Sequence, residues 1–171
     1  LYSVLGTRYI MYGEWLYAKH TVYYDALPHY FLEFDIYDKE LSIFLSTKKR
    51  KELLKDLPVY SVPVLSEGKF KTKEEIISYL GNSHYITDKH LENLINTSKK
   101  LNLDPDRQLR ETDNSMLMEG IYIKVEDDNQ VIDRMKYVRY TFLQTVEESE
   151  THWIDRPIVP NKLNKDIGEL F

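Results

Sequence analysis

YFLEFDIY, residues 30–37, alternates without a break. Tyr30, Leu32, Phe34 and Ile36 fall on one face of an extended chain, and Phe31, Glu33, Asp35 and Tyr37 on the other. That period of two predicts a β-strand over Tyr30 to Tyr37. The second face poses a chemical problem, because an ionised carboxylate is costly to bury without a partner. Glu33 and Asp35 therefore either face water or line a polar site. The segment before the strand, YGEWLYAKHTVYYDALPH (residues 12–29), is rich in aromatics and places a third carboxylate, Glu14, beside Gly13. Leu27-Pro28 marks the turn into the strand.

Working outward, Val4 to Leu16 reads as an extended region broken at Gly13. STKKRKELLKDL (46–57) opens on a Ser46/Thr47 cap and carries Leu53, Leu54 and Leu57 on one helical stripe. VYSVPVL (59–65) reads as a short strand that Pro63 confines to an edge or an end. Thr72 to Leu80 and Thr87 to Leu101 read as helices, and the polar stretch Asp104 to Ser115 as a loop. EGIYIKVED (119–127) is a second strand, with Ile121, Ile123 and Val125 alternating against Tyr122, Lys124 and Glu126. Asp127, Asp128 and Asn129 form the turn into a third strand within VIDRMKYVRY (131–140). Hairpins beside separate helices predict an α+β fold rather than an alternating parallel sheet.

Bulk composition narrows the function. The chain has 171 residues, enough for one domain with a hydrophobic core, and a formal net charge of −5. A global positive field for nucleic acid is excluded, so any such contact needs a local basic patch. No cysteine is present, which rules out disulfides, thiolate zinc sites and thiol catalysis and fits a reducing cytoplasm. No apolar run reaches membrane-spanning length, so no membrane partner is expected. The histidines at 20, 29, 84, 90 and 152 lack metal-ligand spacing. Neither a G-x-x-x-x-G-K-[ST] loop nor a G-x-G-x-x-G fingerprint occurs. The sequence begins at Leu1 rather than a methionine, and a piece of a longer protein is expected.

Three constellations carry chemistry. In MEGIYIK (118–124), a glycine beside Glu119 lets a ligand or metal approach the backbone, and Lys124 stands near the far end of the strand. In RMKYVRY (134–140), Arg134 and Lys136 point to one side, as a polyphosphate requires, while Arg139 falls on the opposite face of a regular strand, although a bulge could re-aim it. In YGEW and FLEFD, a carboxylate can receive a ribose hydroxyl and a strand aromatic can stack on a base. Each alone has an ordinary reading as core or as a solvated, charged edge.

Their order is more specific. Gly-Glu, then Phe-x-x-Phe-Asp about twenty residues on, then Glu-Gly-x-x-x-Lys, then a strand with Arg-x-Lys resembles the RNA ligase family of the covalent nucleotidyltransferase superfamily, which holds ATP-dependent ligases and capping enzymes. Residues 12–38 resemble motifs III and IIIa, EGIYIK motif IV and RMKYVR motif V. HWIDRPIVPNKL (152–163) is similar to the ending of a bacterial and phage branch of RNA-ligase-like proteins. The resemblance implies a nucleotidyltransferase domain, built on antiparallel sheets with flanking helices. Residues 1–163 would be its C-terminal part and 164–171 a tail. It implies that Glu14 contacts the ATP ribose and that Phe34 stacks on adenine, with Phe31 the second candidate. Glu119 would hold Mg²⁺ or Mn²⁺, directly or through water. Lys136 would contact the α-phosphate, with Arg134 or Arg139 as its companion and Lys124 also binding phosphate. Arg134 departs from the Lys-x-Lys of many relatives, which leaves the companion open.

The implied reaction joins 5′-phosphate and 3′-hydroxyl RNA ends through lysyl-AMP and RNA-adenylate. Its nucleophile, a lysine in Lys-x-Asp-Gly or Lys-x-x-Gly ahead of motif III, is absent from residues 1–13. KDIG (165–168) matches the short form at the wrong end of the order. The lysine is expected upstream of Leu1, so this stretch alone should not adenylylate itself. A DNA ligase or a guanylyltransferase of the same superfamily, or a non-catalytic nucleotide- or RNA-binding remnant, shares these motifs.

Overall fold

The computed structural model describes residues 1–148 and 156–165. Ordered along the chain are α1 (Tyr2–Leu5), β1 (Tyr9–Trp15), β2 (Phe31–Asp38), β3 (Ile43–Phe44), α2 (Thr47–Leu54), α3 (Lys73–Ile77), α4 (His90–Lys100), α5 (Pro105–Arg110), β4 (Gly120–Glu126), β5 (Val131–Val138) and α6 (Tyr140–Glu148). The architecture is mixed α+β with small sheets, as the hairpin pattern predicted. Among the described residues no helix is long and apolar enough to cross a membrane. Two compact units divide the chain, each assembled from distant stretches of sequence.

The first unit comprises Leu1–Trp15, Phe31–Glu67 and Tyr122–Tyr137. Its three-stranded sheet has the order β1-β2-β3, with both pairings antiparallel. The register slips between Tyr12 and Gly13, a bulge that explains why the extended pattern breaks there. Gly13 is required by close approach. A Cβ on it would stand 2.3 Å from the Phe31 ring and 2.7 Å from the Leu32 carbonyl oxygen. Ile36, Leu45 and Leu54 form the core, packed by Tyr9, Met11, Leu53 and Leu57 among others. The predicted stripe of α2 thus faces this core, and Ser46 caps the helix by accepting the Lys49 N–H.

Two expectations for this unit need correction. Residues 2–5 are a helical turn rather than strand, ended by Gly6 at φ +50°. VYSVPVL forms no named strand. Ser61 makes a single parallel bridge with Glu33, and Pro63, lacking an N–H, cannot extend it.

The second unit holds residues 16–30, 68–121 and 138–171, of which 149–155 and 166–171 lie outside the described residues. His152 to Asp155 of the tail motif and Asp166 to Gly168 of KDIG therefore lie outside them too. Its core is Tyr23, Leu94 and Val159, with Leu103 and Leu109 against it. Helix α4 ends in a left-handed residue, Asn102 at φ 56°, which lets Leu103 N–H reach Ser98 O at 2.9 Å. The predicted helices over 72–80 and 87–101 are shorter than expected, at 73–77 and 90–100. The expected loop over 104–115 instead contains α5. Its start combines an Asp104 cap, which accepts the Asp106 N–H, with Pro105 in the first turn. The hairpin β4–β5 forms a two-stranded sheet whose turn is tied by Asp127, whose side chain accepts the N–H groups of Asn129 and Gln130. The boundary between units falls inside β4 after Ile121 and inside β5 after Tyr137.

Candidate functional site

Strand β2 buries both carboxylates of the alternating stretch, and each is neutralised from elsewhere in the first unit. Glu33 is fully buried against Arg50 of α2, with Nη1 2.5 Å from Oε2, and Ser61 Oγ donates to the same oxygen at 2.7 Å. Asp35, 1% exposed, gathers three partners from the hairpin. Lys124 Nζ lies 2.7 Å from Oδ1, Tyr122 OH donates to Oδ2 at 2.9 Å, and Arg134 Nη1 lies 3.7 Å from Oδ2. Lys124 also donates to the Phe34 carbonyl at 2.6 Å. Burial first, and the Asp35 carboxylate second, push the Tyr122 hydroxyl up to about 12, so it stays a neutral donor.

An aromatic surround frames this cluster. The half-buried Phe34 ring meets Tyr122 edge-to-face with centroids 5.9 Å apart. The Arg134 guanidinium sits 3.6 Å over the Phe44 ring, which packs in turn on Tyr37 and Tyr12. Phe31 lies over Gly13 instead. The side chains of Glu14 and Lys136 are exposed and make no hydrogen bond or ion pair with any described residue. The structure therefore brings Phe34, Lys124 and Arg134 together around Asp35 and leaves the Glu14 and Lys136 side chains exposed outside that cluster.

Glu119 and Arg139 belong to the second unit. Tyr24 OH donates to Glu119 Oε1 at 2.6 Å, and Arg139 N–H donates to Glu119 O at 2.8 Å. Arg139 is buried, and its guanidinium donates to Asp113, Ser115, Thr141 and the Met118 carbonyl. Among the described residues no group of three or more His, Asp or Glu is arranged to hold a metal ion. A lone carboxylate still suits Mg²⁺, which commonly takes one or two acidic ligands and completes its shell with phosphate and water.

Sequence reasoning missed three contributors. Tyr122 carried a signal, since it lies two residues before Lys124 on the same strand face. Arg50 and Tyr24 carried none. Arg50 reads as a solvated helix position, and Tyr24 is one tyrosine among fourteen.

Among known proteins, no curated protein and no solved structure matches the chain. A family model described as RNA ligase matches residues 1–138, the stretch that runs from α1 to the last residue of β5 and contains Asp35 with all three of its partners. That match covers well over half of the sequence, and the chain belongs to the RNA ligase family.

Proposed function

We propose that the protein works as an ATP-dependent RNA ligase that seals 5′-phosphate to 3′-hydroxyl ends, with its nucleophilic lysine contributed by residues preceding Leu1. The observation that carries this reading is the charge balance at Asp35. One buried carboxylate holds Lys124 and Arg134, and Lys136 projects to the same side of β5 as Arg134. One negative and three positive side chains leave an excess of two positive charges beside an aromatic ring, which suits a nucleotide's phosphates and base.

Phe34 stacks on adenine, a role Phe31 is poorly placed for because its ring covers Gly13. Glu14 accepts a ribose hydroxyl. Lys136 binds the α-phosphate with Arg134 as companion, since the Arg139 guanidinium is engaged by four protein groups. The lysine amine attacks the α-phosphorus, forming an N–P bond as the P–O bond to pyrophosphate breaks. An oxygen of the RNA 5′-phosphate then takes the adenylyl group from lysine. Finally the 3′-hydroxyl attacks that 5′-phosphate and AMP leaves. Each step places negative charge on non-bridging oxygens, which fixed cations stabilise without reorganising. Glu119 would hold a divalent ion, which when bound would supply charge neutralisation.

The test is to incubate the protein, with its preceding segment, with labelled ATP and Mg²⁺ or Mn²⁺. Covalent AMP on the protein and sealing of nicked RNA are expected. Preference for GTP or for nicked DNA would move the assignment to another member of the superfamily. Nucleotide binding without covalent AMP, where a Lys-x-x-Gly is present upstream, would overturn it.

A further inference from the structure

We infer that Tyr24 is a positioning residue for Glu119 and that Asn161 anchors Tyr24. The inference rests on the metal role proposed for Glu119. A glutamate side chain has three rotatable bonds, and a carboxylate that serves as an ion's one protein ligand has to be held in a single orientation. Tyr24 does this with a short, charge-assisted hydrogen bond, 2.6 Å from OH to Oε1. The backbone of the same region is pinned separately by Arg139, whose N–H reaches Glu119 O and whose Nε reaches Met118 O at 3.2 Å.

Tyr24 is itself fixed by the far end of the chain. Its N–H donates to Asn161 Oδ1 at 2.9 Å, and its carbonyl accepts the Lys162 N–H at 2.9 Å. Asn161 is 2% exposed, and its Nδ2 donates to Leu16 O at 2.9 Å. The Tyr24 ring meets Tyr85 edge-on, with centroids 6.3 Å apart, which limits its swing. A buried amide thus fixes a tyrosine, and the tyrosine fixes the carboxylate. No two of the three are neighbours in sequence.

The experiment compares Tyr24→Phe with Tyr23→Phe in the full-length protein. The Tyr23 hydroxyl bonds Thr97 Oγ1 at 3.1 Å, so its loss removes a tyrosine hydrogen bond in the same unit without touching Glu119 or Asn161. Mn²⁺ binding is read by electron paramagnetic resonance with ATP present, alongside the metal dependence of adenylylation and thermal melting. Tyr24→Phe should weaken Mn²⁺ affinity about 10-fold or more. Raised metal concentration should recover its rate, while Tyr23→Phe binds as wild type. Wild-type affinity in Tyr24→Phe would overturn the inference, as would equal losses in both variants, which mark a merely structural role. Glu119→Gln separates the two layers. If it binds Mn²⁺ as tightly as wild type, the metal reading of Glu119 falls and takes the inference with it. If only Glu119→Gln loses the ion, that reading stands and the Tyr24 role fails.

Discussion

Asp35 meets the two requirements that its strand position set in conflict, being buried and held by cations at once. Removing it strands Lys124, whose side chain is 11% exposed, beside a second cation. Asp35→Ala should destabilise the first unit by about 3–5 kcal/mol, as expected when one partner of a buried pair is deleted. Urea denaturation would measure it. Lys136 offers the contrast. Exposed and unpaired among the described residues, it should tolerate alanine within about 0.5 kcal/mol of wild-type stability. Adenylylation by the same Lys136→Ala variant should fall by about 10²-fold or more. Stability loss in place of activity loss would return Lys136 to a structural role. Gly13 tests packing at the bulge. Gly13→Ala forces its new methyl into the Phe31 ring and should cost about 1–3 kcal/mol. Pairing it with Phe31→Leu should recover part of that loss in a thermal melt.

Elements were legible where their signal is local and regular. The alternation over 30–37 gave β2 to within a residue, and the serine cap with its leucine stripe gave α2. The Ser46 hydroxyl both caps α2 and donates to Asp128 O at 3.0 Å, so Ser46→Ala should cost about 1–2 kcal/mol, read from the melting temperature. Failures came where composition masked geometry. Asp104-Pro105 is a helix start, yet the polar residues around it read as a loop. Val4 and Leu5 belong to a turn that Gly6 closes, and their apolar character alone suggested strand. VYSVPVL has strand composition but meets β2 at one residue. Of the candidate site, the alternation exposed the carboxylates and cations, and the ordered motifs supplied the roles proposed for them. Their structural partners did not show, because Arg50, Ser61 and Tyr24 meet their targets across 17, 28 and 95 positions. No periodicity reports a contact at that range.

At the scale of the whole molecule, buried ionisable groups set the pH response. Burial, with Arg156 nearby, holds the Lys19 ammonium down at about 8, while its Nζ donates to the carbonyls of His20 and Glu111. Below that pH the folded protein carries a charge it disfavours. Stability should therefore rise from about pH 8 towards the ordinary lysine range, where the unfolded chain still binds the proton. Tyr122 acts in the opposite sense. Its raised hydroxyl keeps the proton while an unfolded tyrosine loses it, so stability should fall between about pH 10 and 12. Chemical denaturation from pH 7 to 12 should show a maximum near pH 10, and Lys19→Met should flatten the rising limb. The discontinuous units also bear on how the protein is made. The last stretch of the first unit ends at Tyr137, and so leaves the ribosome before Val159, which packs into the core of the second, and Asn161, which ties Leu16 and Tyr24. The nascent chain thus waits with residues 16–30 unsheltered until translation has passed residue 161. During that interval the aromatic-rich segment that later holds Glu119 in place is the part that chaperones and proteases can reach.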